Sequence, residues 1–503
     1  MPPSASERGT ASDAGALARG IGVLIPGRLA GRATAYGVQI LLARLLGPAG
    51  YGQFAIGWKI LLIGGLLAAL GLDNGVVRFG AAYRGDGTDR LRGLVRRTIG
   101  LSLLVGSLAC GALLIASPWL ADTVYRAPEL RPVLLVFALG LAFVPALRVG
   151  AAATRVWQDM RYSVLAEDLA QPIAQLALVV AFHWLGMQVV GAAAAAVLSF
   201  ALALVLVLRY LGRLLPGPPA AGGGPAVPTR EIVAFSFPTS LAGTLSLAAM
   251  WVDLLLVGYF RTQAETGIYM AASQISFLFA VVLTSFNAVF APMIADLHHR
   301  GERRRLNELF RTSTRWGLLI SVPLFVVLAI DPGGILTLLM GPRYVAGAAP
   351  MVILAAGQMI NLATGAVGFL LVMSGRQNWW LAASAGALAL NVALNLVLIP
   401  RFGLVGAATA TTISLAGLFG SGLLMVRLAM RLWPYDRGFL RLLLAAATAA
   451  LAVALPGWLG MAPSMGRTVL ELALAAGVFW PAVEIGNRDD GISGLLAAIK
   501  RRD

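Results

Sequence analysis

The sequence predicts an all-α polytopic membrane protein of about fourteen transmembrane helices, and three observations carry that prediction. Hydrophobic residues fill 58% of the 503 positions and charged residues only 12%, against roughly 45–50% and ~25% in soluble globular chains. Apolar windows of about 20 residues, enough to cross a bilayer core, recur along the whole chain. The charges are confined to short intervals between them. Together these exclude a soluble enzyme, a nucleic-acid-binding domain and a disulfide scaffold. The one cysteine, Cys110, lies inside an apolar run and reads as a small core residue.

In chain order the expected spans are 17–46, 50–76, 93–116, 131–153, 164–184, 188–210, 232–257, 266–292, 314–331, 345–373, 379–400, 404–429, 438–457 and 467–485. Residues 1–15 are small and polar, without the apolar core of a cleavable signal. They read as a disordered cytoplasmic tail, which makes the first span an internal signal anchor. Residues 212–230 (GRLLPGPPAAGGGPAVPTR) have no helical period and read as a flexible cytoplasmic linker. The organisation is then a first lobe over 16–211, the linker over 212–230, a second lobe over 231–431, two further spans over 438–485 and a cytoplasmic tail over 486–503. In that tail, Ile492, Leu495, Leu496 and Ile499 with a basic end read as a short interfacial helix.

The formal net charge of +16 is a topology signal. With the N-terminus inside, 27 of the 39 basic residues fall in cytoplasmic intervals and seven in outer ones. Arg300, Arg303, Arg304, Arg305, Arg311 and Arg315 form the densest group, expected to meet anionic headgroups. Such a bias predicts N-in, C-in, and a nucleic-acid partner is not expected.

The halves also resemble one another. Gly52 aligns with Gly267 and Phe54 with Tyr269, an offset of 215, and Gly191-Ala192-Ala193 aligns with Gly406-Ala407-Ala408 at the same offset. Each half has an even number of spans, so the repeat is parallel, with its pseudo-two-fold axis along the membrane normal.

LLARLLGPAGYGQFAIGWKILLI followed by LGLDNGVVRFGA resembles the opening of the polysaccharide-transport (O-antigen-type) flippases, and so does FSFPTSLAGTLSLAAMWVDLLLVGYF in the second half. NAVFAPMIADL and IPRFGLVGAATATT also fit, so the resemblance runs over about 20–430. It implies two six-helix lobes around a central cavity, with two extra C-terminal helices. It also implies a bacterial cytoplasmic-membrane flippase that carries a polyprenyl-diphosphate-linked oligosaccharide from the inner to the outer leaflet by alternating access. Membrane lipids and a polysaccharide polymerase or export machinery are the implied partners. The alternative within the same superfamily is a cation-coupled multidrug extruder.

Charges at membrane depth mark the candidate site, since a central Arg or Lys costs roughly 2.5–3.5 kcal/mol unless it faces water or a partner. Arg28 and Arg32 share one face of the first span, about 16 and 22 Å along it, and Lys59 lies about 14 Å into the second. With no carboxylate expected at that depth, the three read as a diphosphate site. The competing reading pairs them with Asp73, Glu167 or backbone carbonyls to hold the bundle closed. Arg78 and Arg148 lie near the inner surface as headgroup or gate residues. In the second lobe Gln274, Gln358, Asn361, Asn391 and Asn395 are candidates for sugar hydroxyls or for interhelical hydrogen bonds. Asp253 either binds a coupling cation (H⁺ or Na⁺) or pairs with Arg261 or Arg44 at an outer gate. The three histidines lack metal-ligand spacing and no Walker-type loop is present, so neither enzymatic chemistry nor a cofactor is expected.

Overall fold

The structure, a computed structural model, describes residues 5–83, 88–157, 160–215, 228–237, 250–459, 461 and 464–486. All regular structure among them is helical, and nine helices are long and apolar enough to cross a membrane. Two of these, Ala30–Ala82 with 53 residues and Gln377–Met430 with 54, would each extend about 80 Å if straight, against a hydrocarbon core of ~30 Å. Both therefore turn back, and each does so at a glycine. Gly47 has φ 65, and beyond it the Tyr51 hydroxyl donates to Gln39 Oε1 at 3.0 Å, across twelve positions that a straight helix would hold about 18 Å apart. Gly403 has φ 59, and Asn391 Nδ2 donates across that turn to Thr411 Oγ1 at 3.3 Å. A Cβ at Gly403 would also run into the Arg261 guanidinium, so backbone and packing both demand glycine there. With the two reversals, every expected span has a helical counterpart. Only 238–249, within the seventh, lies outside the described residues.

The chain divides into two compact units, 1–248 and 249–503. The first is cored by Leu72, Val76, Val149 and Val207 on neighbouring helices. Helix 229–237 belongs to this unit, although its sequence was assigned to the second lobe. Ile232 sits in the same core, Gly75 leaves room for the Ser236 side chain, and the Arg78 guanidinium lies 3.8 Å from the Phe235 ring centroid. The second unit is cored by Phe290, Phe310, Leu370 and Val426. It includes the two C-terminal helices, Arg437–Trp458 and Met465–Gly486, which pack on each other and on Arg303–Ile330. Asp331 anchors them. It caps Pro332–Leu339 through the Gly334 N–H at 2.9 Å and accepts from Thr468 Oγ1 at 2.8 Å. One turn on, Arg467 Nε meets the fully buried Glu471 at 2.8 Å.

Other sequence expectations change in detail. The first helix begins at Ala5, inside the presumed tail, because no proline interrupts the alanine-rich stretch after Pro3 until Pro26. Helix Gln188–Leu214 consumes the start of the linker, while 216–227 and the interfacial tail helix lie outside the described residues. The basic interval around 300 is a tight turn between Leu278–His299 and Arg303–Ile330. Arg300, Arg304 and Arg305 pair there with Asp296, Glu308 and Glu302, and Arg311 Nε donates to the Trp433 carbonyl at 3.1 Å.

Candidate functional site

In the first unit, Pro172 at the start of Gln171–Trp184 lacks an amide proton, and the turn before it is a π-helix, Val164–Ala170. That turn presents Glu167 and Asp168. Gly31 allows the first helix to lie against the Asp168 backbone, where a Cβ would collide, and Arg28 Nε meets Asp168 Oδ2 at 3.5 Å. Arg148 Nη2 meets Asp73 Oδ2 at the same distance. Arg32 and Arg155 also act on Asp168, and Arg148, Arg155 and Asp73 on Glu167. Four guanidinium groups thus face three carboxylates, a surplus of one positive charge. The Nε donors of Arg148 and Arg155 are buried without an acceptor.

This corrects two sequence expectations. Arg28 is paired rather than isolated, and its partner is Asp168, which the sequence placed at the inner end of the fifth span. Counted from the turn at Gly47, Arg28 lies about 28 Å and Arg32 about 22 Å along the first pass, against a hydrocarbon core of ~30 Å, so Arg28 stands toward the end of that pass rather than near its middle. Lys59, counted back from the turn at Gly47, lies about 11 Å further from that end than Arg28. Arg32 stands nearer its level, about 5 Å away along the axis. The side chains of Arg28 and Asp168 remain 48% and 36% exposed, and charges so exposed in a membrane protein face water rather than hydrocarbon. Arg148 and Asp73 join the site, whereas Arg78 is held on Phe235. Sequence reading missed Arg155, which falls in a 3₁₀ turn between helices.

The second unit holds a different arrangement. Asp253 is 4% exposed. Its Oδ2 accepts from Tyr269 Oη at 2.7 Å and Thr411 Oγ1 at 2.9 Å, and its Oδ1 accepts from the Leu254 N–H at 2.7 Å. Thr411 in turn takes Asn391 Nδ2, and Asn395 Nδ2 donates to the Asn391 side chain and carbonyl, both at 2.9 Å. Asn395 Oδ1 is buried without a donor. Asn391 and Asn395 therefore serve a carboxylate network and do not line an open sugar surface. Arg261, one expected gate partner of Asp253, pairs with Glu265 at 3.6 Å. Gln358 and Asn361 bond each other at 3.4 Å, and Gln274 is half-buried on Gln263–Ser276. In the first unit the Tyr51 hydroxyl donates to Gln39, but at the offset of 215 these two align with Thr266 and Leu254, so the Tyr269–Asp253 pair belongs to the second unit alone.

Among known proteins, the chain is similar over 166 residues, at 24% identity, to a probable low-salt glycan biosynthesis flippase, Agl15, of Haloferax volcanii, covering 33% of this chain and 35% of that one. It is 29% identical over 173 residues to the probable flippase AglR of the same organism, covering 33% and 35%. The matches span about a third of the length of these curated relatives. Among solved structures, it resembles a lipid II flippase, MurJ, in an inward closed conformation, with TM-score 0.76 and 14% identity over 93% of this chain and 99% of that one. It also resembles an inward-facing MATE multidrug transporter of the MOP superfamily, with TM-score 0.64 and 18% identity over 79% and 94%. The fold is thus shared with these solved structures, in a multi-pass membrane protein. The family model for polysaccharide biosynthesis proteins matches residues 17–298, more than half of the sequence, and the chain belongs to that family.

Proposed function

We propose that the protein is a flippase moving a polyprenyl-diphosphate-linked oligosaccharide from the inner to the outer leaflet of a bacterial cytoplasmic membrane by alternating access, with both termini inside. The observation that carries this reading is the surplus-positive cluster of Arg28, Arg32, Arg148 and Arg155 with its two unsatisfied guanidinium donors. Guanidinium forks match phosphate oxygens in geometry and charge, and a diphosphate entering from the inner leaflet would meet them first. Lys59, further along the first unit, is the next cation on the path. An extruder of organic cations would be served by an acidic site, so the cluster disfavours that alternative. The flippase names of the curated relatives point the same way.

The Asp253 network supports a coupling role. A buried carboxylate with hydroxyl and amide oxygens around it offers a hard cation an all-oxygen environment, and offers a proton a site shielded from water. The coupling ion, H⁺ or Na⁺, is therefore assigned to the second unit. Gln274 and Gln358 remain the candidates for sugar contacts, whereas Asn361 lines a separate groove. Deletion of the gene in its host tests the main reading. Lipid-linked oligosaccharide should accumulate facing the cytoplasm while the surface glycan disappears. An unchanged surface glycan, with loss of resistance to organic cations instead, would replace the flippase with the extruder.

A further inference from the structure

The second unit carries a groove that neither the arginine cluster nor the Asp253 network uses. The tenth pass breaks between Ala348–Thr364 and Val367–Met373, where Gly365 takes φ 71. Below the break, Gly368 lets the Trp380 indole lie directly against the helix, since a Cβ there would stand 2.8 Å from the ring. Gly422 receives the other edge of the same indole, and the Phe419 ring lies beside it, tilted by 41°, with centroids 6.1 Å apart. What remains is an open cavity of about 300 Å³, closed at its deep end by Asn361 and walled by Phe369, Val372 and Met373. Across the break, Met373 and Asn361 stand at most about 18 Å apart along the pass, on the scale of the ~15 Å depth of one leaflet's hydrocarbon.

The mouth is chemically distinct from the walls. The chain turns at 374–376, with Gly375 at φ 78, and Arg376 sits in that turn, its guanidinium 5.9 Å from the Trp379 ring. Trp379 is 48% exposed, and an exposed tryptophan beside an arginine at a helix end is the side-chain pattern of the headgroup layer. Helix alternation places this turn on the same membrane side as the arginine-rich turn near 300. We infer that the groove holds one acyl chain of a resident anionic phospholipid, with its phosphate at Arg376. Charge selects this occupant. One guanidinium matches the single charge of a phosphodiester, whereas a diphosphate calls for more than one cation. The adaptable Met373 and the aromatic walls accommodate a flexible chain.

Native mass spectrometry of the full-length protein in detergent tests this, using phosphatidylglycerol and phosphatidylcholine of matched chains as probes. One phosphatidylglycerol should bind about fivefold more tightly than phosphatidylcholine, the preference expected of one interfacial arginine. Arg376→Gln should bring that ratio to about one. Val372→Trp, at an exposed wall position, should remove retention of the lipid at unchanged elution volume. Equal binding of the two lipids by the unaltered protein would overturn the assignment, as would undiminished preference in R376Q. Displacement of bound phosphatidylglycerol by stoichiometric polyprenyl monophosphate would overturn it too, giving the groove to the carrier chain.

Discussion

Arg28→Ala separates a substrate-binding cluster from an ionic brace, because the two predict opposite changes in stability. The Arg28–Asp168 contact is 3.5 Å long with both side chains more than a third exposed. A pair at that distance in water-like surroundings gains about 1 kcal/mol before the entropy of fixing two side chains, and exposed pairs contribute roughly 0.2–1 kcal/mol. Alanine should therefore cost ~1 kcal/mol or less, and expression and thermal unfolding in detergent should be nearly unchanged. Transport should respond differently. A charge-assisted hydrogen bond to phosphate contributes roughly 1.5–3 kcal/mol, so flipping should fall by about ten- to hundredfold. Arg28→Lys should recover part of it, keeping charge and losing the fork. The assay is thermal unfolding and transport measured on the same preparations. A loss of 3–5 kcal/mol, the cost of breaking a buried pair, with both properties restored in the swap R28D/D168R, would refute the binding role.

Four further outcomes follow from other parts of the structure. Asp253→Asn should abolish the dependence of transport and of thermal stability on Na⁺ or pH, while Gln39→Ala leaves that dependence intact; a D253N protein with unchanged ion dependence would remove the coupling role. Arg467→Ala should strand the fully buried Glu471, cost about 3–5 kcal/mol and free the last two helices to proteolysis, with E471Q in the same chain restoring most of the loss. Gly403→Ala should destabilise by about 1–2 kcal/mol from the left-handed backbone alone, more if Arg261 cannot move, as thermal unfolding would report. A cysteine placed at position 301 should be labelled only after cells are opened, and labelling of intact cells would reverse the proposed orientation.

Much of the fold was legible because hydrophobic length and charge asymmetry act locally. The runs that gave the spans are the runs that form the helices, and the glycine matches near 52/267 and 191/406 lie beside the reversals. The site was less legible, and each miss has a cause. Depth along the first helix was counted from Leu17, but the helix continues to Ala5, and counting from the turn at Gly47 instead moves Arg28 toward the surface. Asp168 joins Arg28 through a π-turn ahead of Pro172, and hydropathy does not register a π-turn. Asn391 and Asn395 lie one turn apart on the same helix. Their partner was hidden because Thr411 reaches them only when the chain folds back at Gly403. Helix 229–237 was expected in the second lobe because the composition break preceding it looked like a boundary, whereas Ile232 and Ser236 pack on the helix that carries Gly75.

The most direct test of the central claim is translocation by the purified protein in proteoliposomes. A fluorescent polyprenyl-diphosphate oligosaccharide would be placed in both leaflets and the outer pool read by a membrane-impermeant quencher or a glycosidase. The account predicts that the protected half becomes accessible with the unaltered protein, and that the R28A/R32A variant slows this to near the rate of protein-free vesicles. Equal accessibility kinetics in protein-free, variant and unaltered vesicles would contradict it.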